Sequence, residues 1–473
     1  MSEATLFVNN IIRNYLTNFL KKCHNHSEFN FFKGKDCEMK INVGLRREDI
    51  NRWERRTPLI PAHVRELAEN YPLQFLVQPS AIRIFPDSEY VAAGALVQED
   101  LCPSRVVLAI KEIPLNLLEK GKVYVFFSHT IKGQAHNMPM LKKILDLGCT
   151  LIDYEKMTDE QGRRVLFFGN YAGHAGMVDT LWAYGQRMKT LSLETPFSRL
   201  KQAYHYSNLT EIKEEISSLG EEIREKGLPE EISPFICGFF GYGHVSQGAQ
   251  EIFDLLPAVE ISPAELEETV KQGYYSRHRV YKVVFKEEHM VRPRGNFSFD
   301  LQDFYQNPEK YYPVTEDYLP YLNILVNGIF WTPRYPRYLT RNFLRKLYQP
   351  GTRPRLQVIG DITCDIDGAL ECTIQTTDSE KPVYVYNPEE HRAEFGFAGP
   401  GPVVLAVYNL PAELPVESST FFSRQLKKYV PGIALADYDK EFAQLELDPV
   451  VKRAVIAYHG ELTPDFKYLE KYL

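Results

Sequence analysis

From Lys40 onward, short apolar runs alternate with amphipathic stretches. Runs at Ile41–Leu45, Gln74–Gln78, Val106–Ile110, Val123–Phe127 and Thr150–Asp153 read as buried strands. Between them, Pro61–Asn70 and Met140–Leu147 have apolar positions at helical spacing, and Gly148 supplies a C-terminal stop. This strand–helix alternation predicts a parallel α/β domain. A helix is expected over Ala175–Leu193. A charged, helix-prone segment covers Leu209–Lys226, and its Glu and Lys residues read first as a solvated face. Ser233 and Pro234 then open a strand over Phe235–Phe240, the start of a second α/β domain. More strands are expected at Ile324–Trp331, Leu356–Ile362, Val383–Tyr386 and Val403–Val407. Pro293–Tyr321 has no clean period and reads as a long insertion. Leu410–Leu473 reads as mainly helical. No internal repeat or low-complexity stretch is apparent.

The first forty residues stand apart. Residues 4–27 contain no Asp or Glu, and Phe7, Ile11, Ile12, Tyr15, Leu16, Phe19 and Leu20 recur at helical spacing. Two readings fit: an N-terminal helix packing on the body, or an acid-poor mitochondrial transit peptide. Cys23, His24 and His26 lack a second ligand pair at a usable spacing, so no metal site is expected there.

The whole chain has 473 residues and a formal net charge of −7, with 55 Lys+Arg against 62 Asp+Glu. That balance argues against nucleic-acid binding driven by bulk charge, which needs a basic surplus. It leaves small anionic substrates open, because they respond to local charge. No apolar run approaches the roughly 20 residues of a membrane helix. The seven cysteines are scattered without a CxxC pair, which fits a reducing compartment. A cytoplasmic protein is therefore expected, with the mitochondrial matrix as the alternative.

Two groups of residues carry candidate chemistry. The first is a strand–turn–helix segment, Phe235–Leu256, that approximates GxGxxG. Gly241 permits the tight turn, Gly243 lets a pyrophosphate approach the backbone, and the small Ser246 takes the third position, followed by Gly248. The phosphates would rest on the helix N-terminus. A plain βα loop is the alternative. Ala258–Ile261 is then the expected next strand, where Glu260 would reach the adenosine ribose of NAD. Ser262 and Arg277–Arg279 would instead suit the 2′-phosphate of NADP.

The second group lies at first-domain strand ends, where α/β sheets place ligands. Lys111 and Glu112 follow one strand, Ser128, His129 and Thr130 the next, and Tyr154, Glu155 and Lys156 the one after. Glu54, Arg55 and Arg56 precede the first helix, and Arg163 and Arg164 precede Val165–Phe168. Singly, each has an ordinary structural explanation: a solvated strand end, a hydrogen-bonding histidine, surface arginines. Together, Lys111 and His129 suit acid–base work, which needs a pair with separated pKa values.

These segments resemble the lysine–ketoglutarate reductase family, which includes lysine-forming saccharopine dehydrogenases and the N-terminal half of bifunctional aminoadipate-semialdehyde synthases. The match runs in order through Gly44–Pro61, Ala109–Pro114, Phe126–Lys132, Leu151–Met157, Gly169–Gly176, Gly241–Gly248, Val326–Trp331, Asp361–Asp365 and Asn409–Pro415, covering about residues 40–470. A more distant similarity is to alanine dehydrogenase and the transhydrogenase N-terminal domain.

The resemblance implies reductive condensation of the lysine ε-amine with 2-oxoglutarate to give saccharopine. Lys111 and His129 match the family's acid–base pair, Arg56, Arg163 and Arg164 its carboxylate-binding positions, and Glu54 and Glu155 acidic positions around the site. The hydride would come from NADP(H) or NAD(H), with the balance toward NADP(H), on the Gly241–Gly248 turn; Glu260 would complete the cofactor site. No metal, nucleic acid or membrane is implied, and the oligomeric state is left open. Tyr408 departs from an Asp common in the family. The saccharopine-cleaving half of bifunctional members has no counterpart, which implies a monofunctional enzyme. A related reductive aminase with another amine or 2-oxo acid, or a non-catalytic cofactor-binding relative, are the alternatives.

The expected architecture is α/β, two Rossmann-like domains with a cleft between them, the first discontinuous. Residues 1–39 would form an extension, 40–172 and 410–473 the substrate domain, and 173–409 the dinucleotide domain.

Overall fold

The computed structural model describes residues 40–473. The segment 4–27, with the nearby Cys23, His24 and His26, lies outside the described residues. The chain divides into two compact units, one formed by residues up to Phe167 with Ser418–Leu473, the other by Phe168–Glu417. Both are α/β, each built on a mixed, mainly parallel eight-stranded sheet.

In chain order the first unit begins with β1 (Ile41–Leu45), β2 (Leu73–Val77), β3 (Leu96–Val97), β4 (Val106–Leu108), β5 (Val123–Phe126) and β6 (Thr150–Asp153). The second contributes β7 (Phe235–Phe240), β8 (Ala258–Glu260), β9 (Val280–Phe285), β10 (Val291–Pro293), β11 (Tyr311–Pro313), β12 (Ile324–Asn327), β13 (Val358–Asp361), β14 (Val383–Asn387), β15 (Arg392–Phe395) and β16 (Val403–Leu405). β17 (Val455–Tyr458) and β18 (Glu461–Leu462) return to the first unit. The longer helices are α1 (Pro61–Asn70), α2 (Met138–Asp146), α3 (Gly169–Thr190), α4 (Leu209–Lys226), α5 (His244–Phe253) and α6 (Pro415–Leu426).

The first sheet has the order β18-β17-β6-β5-β4-β1-β2-β3. β6 through β3 are parallel, and β17 adds antiparallel to β6. This corrects the mainly helical reading of Leu410–Leu473, because Val455–Tyr458 is a fully buried strand there. The second sheet has the order β15-β14-β16-β13-β12-β7-β9-β8, parallel from β16 to β8. Its central strands are buried on both faces. Phe235, Cys237 and Phe239 enter one core cluster, while Ile236 and Phe240 enter the other. Burial on both faces is why these strands read as continuous apolar runs.

Helix ends follow local chemistry. Asn208 caps α4 by accepting from the Glu211 N–H at 3.0 Å, and Gly227 follows its last turn at φ +73°. Ile212, Ile216, Leu219 and Ile223 bury one face of α4. The aperiodic insertion contains the antiparallel ribbon β10–β11 and a short helix, Leu301–Gln306. α3 and α5 approach closely. A Cβ on Gly173 would lie 2.1 Å from the Val245 carbonyl oxygen, and one on Gly248 would lie 2.2 Å from that of Asn170.

Candidate active site

Parallel order places the carboxyl ends of β1, β4, β5 and β6 side by side. The chain leaving β4 carries Lys111 and Glu112, and the chain leaving β5 carries Ser128, His129 and Thr130. His129 has φ +49°, in the left-handed region that an L residue with a Cβ adopts at a cost in free energy. A buried network offsets that cost. Asp153, at the end of β6, accepts from the Ser128 N–H at 3.2 Å and from the Ser128 hydroxyl. Ser128 Oγ lies 2.8 Å from Thr130 Oγ1, and all three side chains are buried. His129 Nδ1 in turn lies 2.5 Å from Glu112 Oε1. That contact fixes the imidazole's orientation and directs Nε2 away from Glu112.

Glu54 and Arg56 form a bidentate ion pair, with Nε–Oε1 2.7 Å and Nη2–Oε2 2.6 Å, and both side chains are buried. Their neighbour Lys111 is held below its ordinary pKa, chiefly by burial and next by the Arg56 guanidinium, with Glu54, Glu112 and Glu48 opposing. Burial works to raise the Glu112 pKa, but the His129 hydrogen bond and charge, a backbone N–H and the Lys111 amine together hold it below its ordinary value. Burial pushes Asp153 up to about 6.

The second unit holds the glycine turn at the end of β7. Gly241 has φ +84°, which its tight turn requires. Gly243 precedes α5, and a Cβ there would meet no protein atom within 4 Å, so it would fill only space open to a ligand at the helix N-terminus. Ser246 is buried, and the backbone of Gly328 passes close to it: a Cβ on Gly328 would lie 3.1 Å from the Ser246 nitrogen. Beside the turn is a cavity of about 470 Å³ lined by Gly241, Tyr242, Gly243, Glu287, Tyr305 and Gly328 among others. Tyr305 donates to Glu287 Oε1 at 2.6 Å, and burial with this carboxylate pushes the phenol's pKa up. A glycine turn, an open helix N-terminus and a carboxylate at the adjacent strand end are the parts a dinucleotide needs, so these residues fit one.

Residues 44–175 match the family model described as alanine dehydrogenase/PNT, N-terminal domain. Alpha-aminoadipic semialdehyde synthase, mitochondrial, from Bos taurus is 37% identical over 91% of this chain and 48% of its own length. The chain resembles the lysine–ketoglutarate reductase-like region of that synthase. It spans about half the length of the curated synthases it matches. Saccharopine dehydrogenase [NAD(+), L-lysine-forming] from Yarrowia lipolytica is 27% identical over 80% of this chain and 89% of its own length. In fold, the chain resembles a solved L-alanine dehydrogenase, with a TM-score of 0.57 at 17% identity, covering 91% of this chain and 99% of the other.

The structure brings Glu54, Arg56, Lys111 and His129 to the carboxyl end of the first sheet, with Glu155 just past β6. Arg164 is ion-paired with Glu155, while Arg163 is largely exposed and bound to Asp159 at 2.8 Å. Gly241 and Gly243 form the turn, Ser246 lies in the first turn of α5, and Gly248 lies on the face of α5 against α3. Glu260 is placed differently from its expectation. β8 is the sheet edge, and β9 intervenes between it and β7. Glu260 is exposed and lies 3.5 Å from Lys282 Nζ. The first acidic residue past the strand that adjoins β7, two positions beyond Phe285, is Glu287, which sequence reasoning missed. Its only signal was the run Val280–Phe285, interrupted by Lys282. Glu48 and Asp153 were also missed, because both read as ordinary charges near strand ends.

Proposed function

We propose that this chain is a nicotinamide-dependent reductase that condenses the lysine ε-amine with 2-oxoglutarate and reduces the adduct to saccharopine. The observation that carries this reading is the pair at the ends of β4 and β5. One member is an amine held below its usual basicity, and the other is a histidine whose Nδ1 is engaged by Glu112. Condensation expels the carbinolamine hydroxyl as water, which needs a proton donor. The amine nitrogen also sheds and regains protons around the reduction, which needs a second group. Lys111 and His129 divide these tasks, and His129 exchanges its proton through Nε2.

Saccharopine carries three carboxylates, and arginine forks suit them. Arg56, Arg163 and Arg164 are the proposed partners. Each sits beside an acid of the protein, Glu54, Asp159 and Glu155 respectively, so each arginine is already oriented and its charge balanced. Glu54 and Glu155 are placed to receive the substrate's charged amines.

A bound nicotinamide cofactor supplies the hydride. Gly241, Gly243 and the N-terminus of α5 would hold its pyrophosphate, and Glu287 the hydroxyls of its adenosine ribose. A carboxylate there repels a 2′-phosphate, which supports NAD(H) over the NADP(H) the sequence leaned toward. The test is direct: purified protein with lysine, 2-oxoglutarate and NADH should oxidise the cofactor, faster than with NADPH. Silence with both cofactors across a panel of amines and 2-oxo acids would overturn the reading.

A further inference from the structure

We propose that Glu48 is the positioning residue of Lys111: its carboxylate clamps the end of β4, fixing where Lys111 leaves the strand and which charge its amine faces. The inference rests on the reading of Lys111 as a proton-transfer group. β1 and β4 pair in register up to Leu45 and Leu108, and the Arg46 N–H donates to the Leu108 oxygen at 2.9 Å. Beyond that rung the side chain of Glu48 takes over from the backbone. Glu48 Oε1 accepts from the Ile110 N–H at 2.6 Å, and Oε2 from the Lys111 N–H at 3.0 Å. On the other side, the Ile110 carbonyl accepts from the Phe127 N–H at 3.0 Å, two residues before His129. The segment that carries Lys111 is thus held from both neighbouring strands, by a carboxylate on one and backbone on the other. Glu48 is 4% exposed, so these two N–H groups are its main compensation for lost water.

The electrostatics around the clamp are crowded. Arg46, paired with Asp49, faces Glu48 from the end of β1. Glu54 faces it from the next loop, Lys111 from the end of β4 and Tyr154 from the end of β6, while Arg56 and Glu112 act on the Lys111 amine itself. Burial, with repulsion from Glu54, pushes Glu48 up to about 7. Its charge therefore changes where the Lys111 amine is asked to work. An ionised Glu48 favours the charged amine, and a protonated Glu48 withdraws that support.

The experiment reads Lys111 directly, without substrate or cofactor. Acylation of Lys111 by acetic anhydride, followed by peptide mass spectrometry across pH, gives the midpoint of the amine. Glu48→Gln keeps the shape and removes the charge, and should lower that midpoint by about one pH unit, the lower end of a neighbouring charge's effect. Glu48→Asp keeps the charge but is too short to reach both N–H groups. It should leave the midpoint near wild type while turnover falls at least tenfold. An unmoved midpoint in folded Glu48→Gln protein overturns the proposal. Should that variant not fold, the wild-type curve decides: an inflection near pH 7 beside the main one supports the clamp, and a single inflection refutes it. Wild-type protein that makes no saccharopine while the midpoint still moves would sink the proposed function and leave the clamp standing.

Discussion

The second unit buries two carboxyls together, and that makes its stability depend on pH. Asp179 of α3 and Glu413 are both buried. Asp179 Oδ1 accepts from the Ala203 N–H at 2.7 Å, and Glu413 Oε1 accepts from the Ser379 hydroxyl at 2.6 Å. Asp179 Oδ2 and Glu413 Oε2 have no other hydrogen-bond partner, and the two buried side chains interact, which is favourable only with a proton on one of them. Burial and the Glu413 charge push Asp179 well up, and burial pushes Glu413 up to about 7 from an ordinary 4.5. A folded-state value above the unfolded one gives stability that is complete below the unfolded value and is lost as pH rises through about 7. The difference of about 2.5 units, at about 1.36 kcal/mol each, is roughly 3 kcal/mol. About 2.5 kcal/mol of that is lost between pH 5 and pH 8.5, so at ~2–4 °C per kcal/mol the wild-type midpoint of this unit should fall about 5–10 °C across that range through this group alone. Glu413→Gln removes the titration of this carboxyl and leaves Asp179, which burial still raises without the Glu413 charge. Other buried acids, such as Asp361, act equally in both proteins, so the difference in slope isolates the pair. The assay is thermal unfolding across that range, followed through the fluorescence of Trp182 and Trp331 in a Trp53→Phe background. Equal pH slopes in wild type and Glu413→Gln would refute the shared proton.

Other expectations follow from the same geometry. Lys111→Met and His129→Gln should each cut turnover by about 10²–10⁴ with folding intact, measured as initial rates beside circular dichroism. Glu112→Gln weakens the grip on His129 Nδ1 and should lower kcat more than it raises the KM for 2-oxoglutarate; unchanged kcat would remove Glu112 from the mechanism. Gly248→Ala places a methyl against the Asn170 carbonyl and should cost about 1–3 kcal/mol, read as a lowered denaturation midpoint. Glu287→Ser should narrow the difference between NAD and NADP affinities, read by equilibrium binding, whereas Glu260→Ser should leave it alone.

The sequence disclosed most where one physical cause acted alone. Phe235–Phe240 and Thr150–Asp153 are buried on both faces and were legible to the residue. So were Pro61–Asn70, with proline in its first turn, and Leu209–Lys226, between Asn208 and Gly227. β9 was hidden because Lys282 breaks its apolar run. That lysine is buried, and Asp254 at 2.8 Å compensates its charge, a partner visible only after folding. On the proposed reading, in which Glu287 holds the adenosine ribose, the unseen β9 is why the sequence pointed to Glu260, one strand further out. β17 was lost in a helix-prone tail because four apolar residues do not distinguish strand from helix. Lys111 and His129 could be picked out because strand ends in α/β sheets gather ligands. Glu48 could not, because only the pairing of β1 with β4 sets its carboxylate against the N–H groups of Ile110 and Lys111.

The central claim is that Lys111 and His129 serve a reductive condensation of lysine with 2-oxoglutarate. Incubation of the protein with both substrates and NADH deuterated at the transferable position, followed by mass spectrometry, tests it most directly. The expected product is saccharopine carrying one deuterium on the carbon that was the keto carbon of 2-oxoglutarate. Absence of the condensed secondary amine with either deuterated NADH or deuterated NADPH, or deuterium on any other carbon, would contradict it.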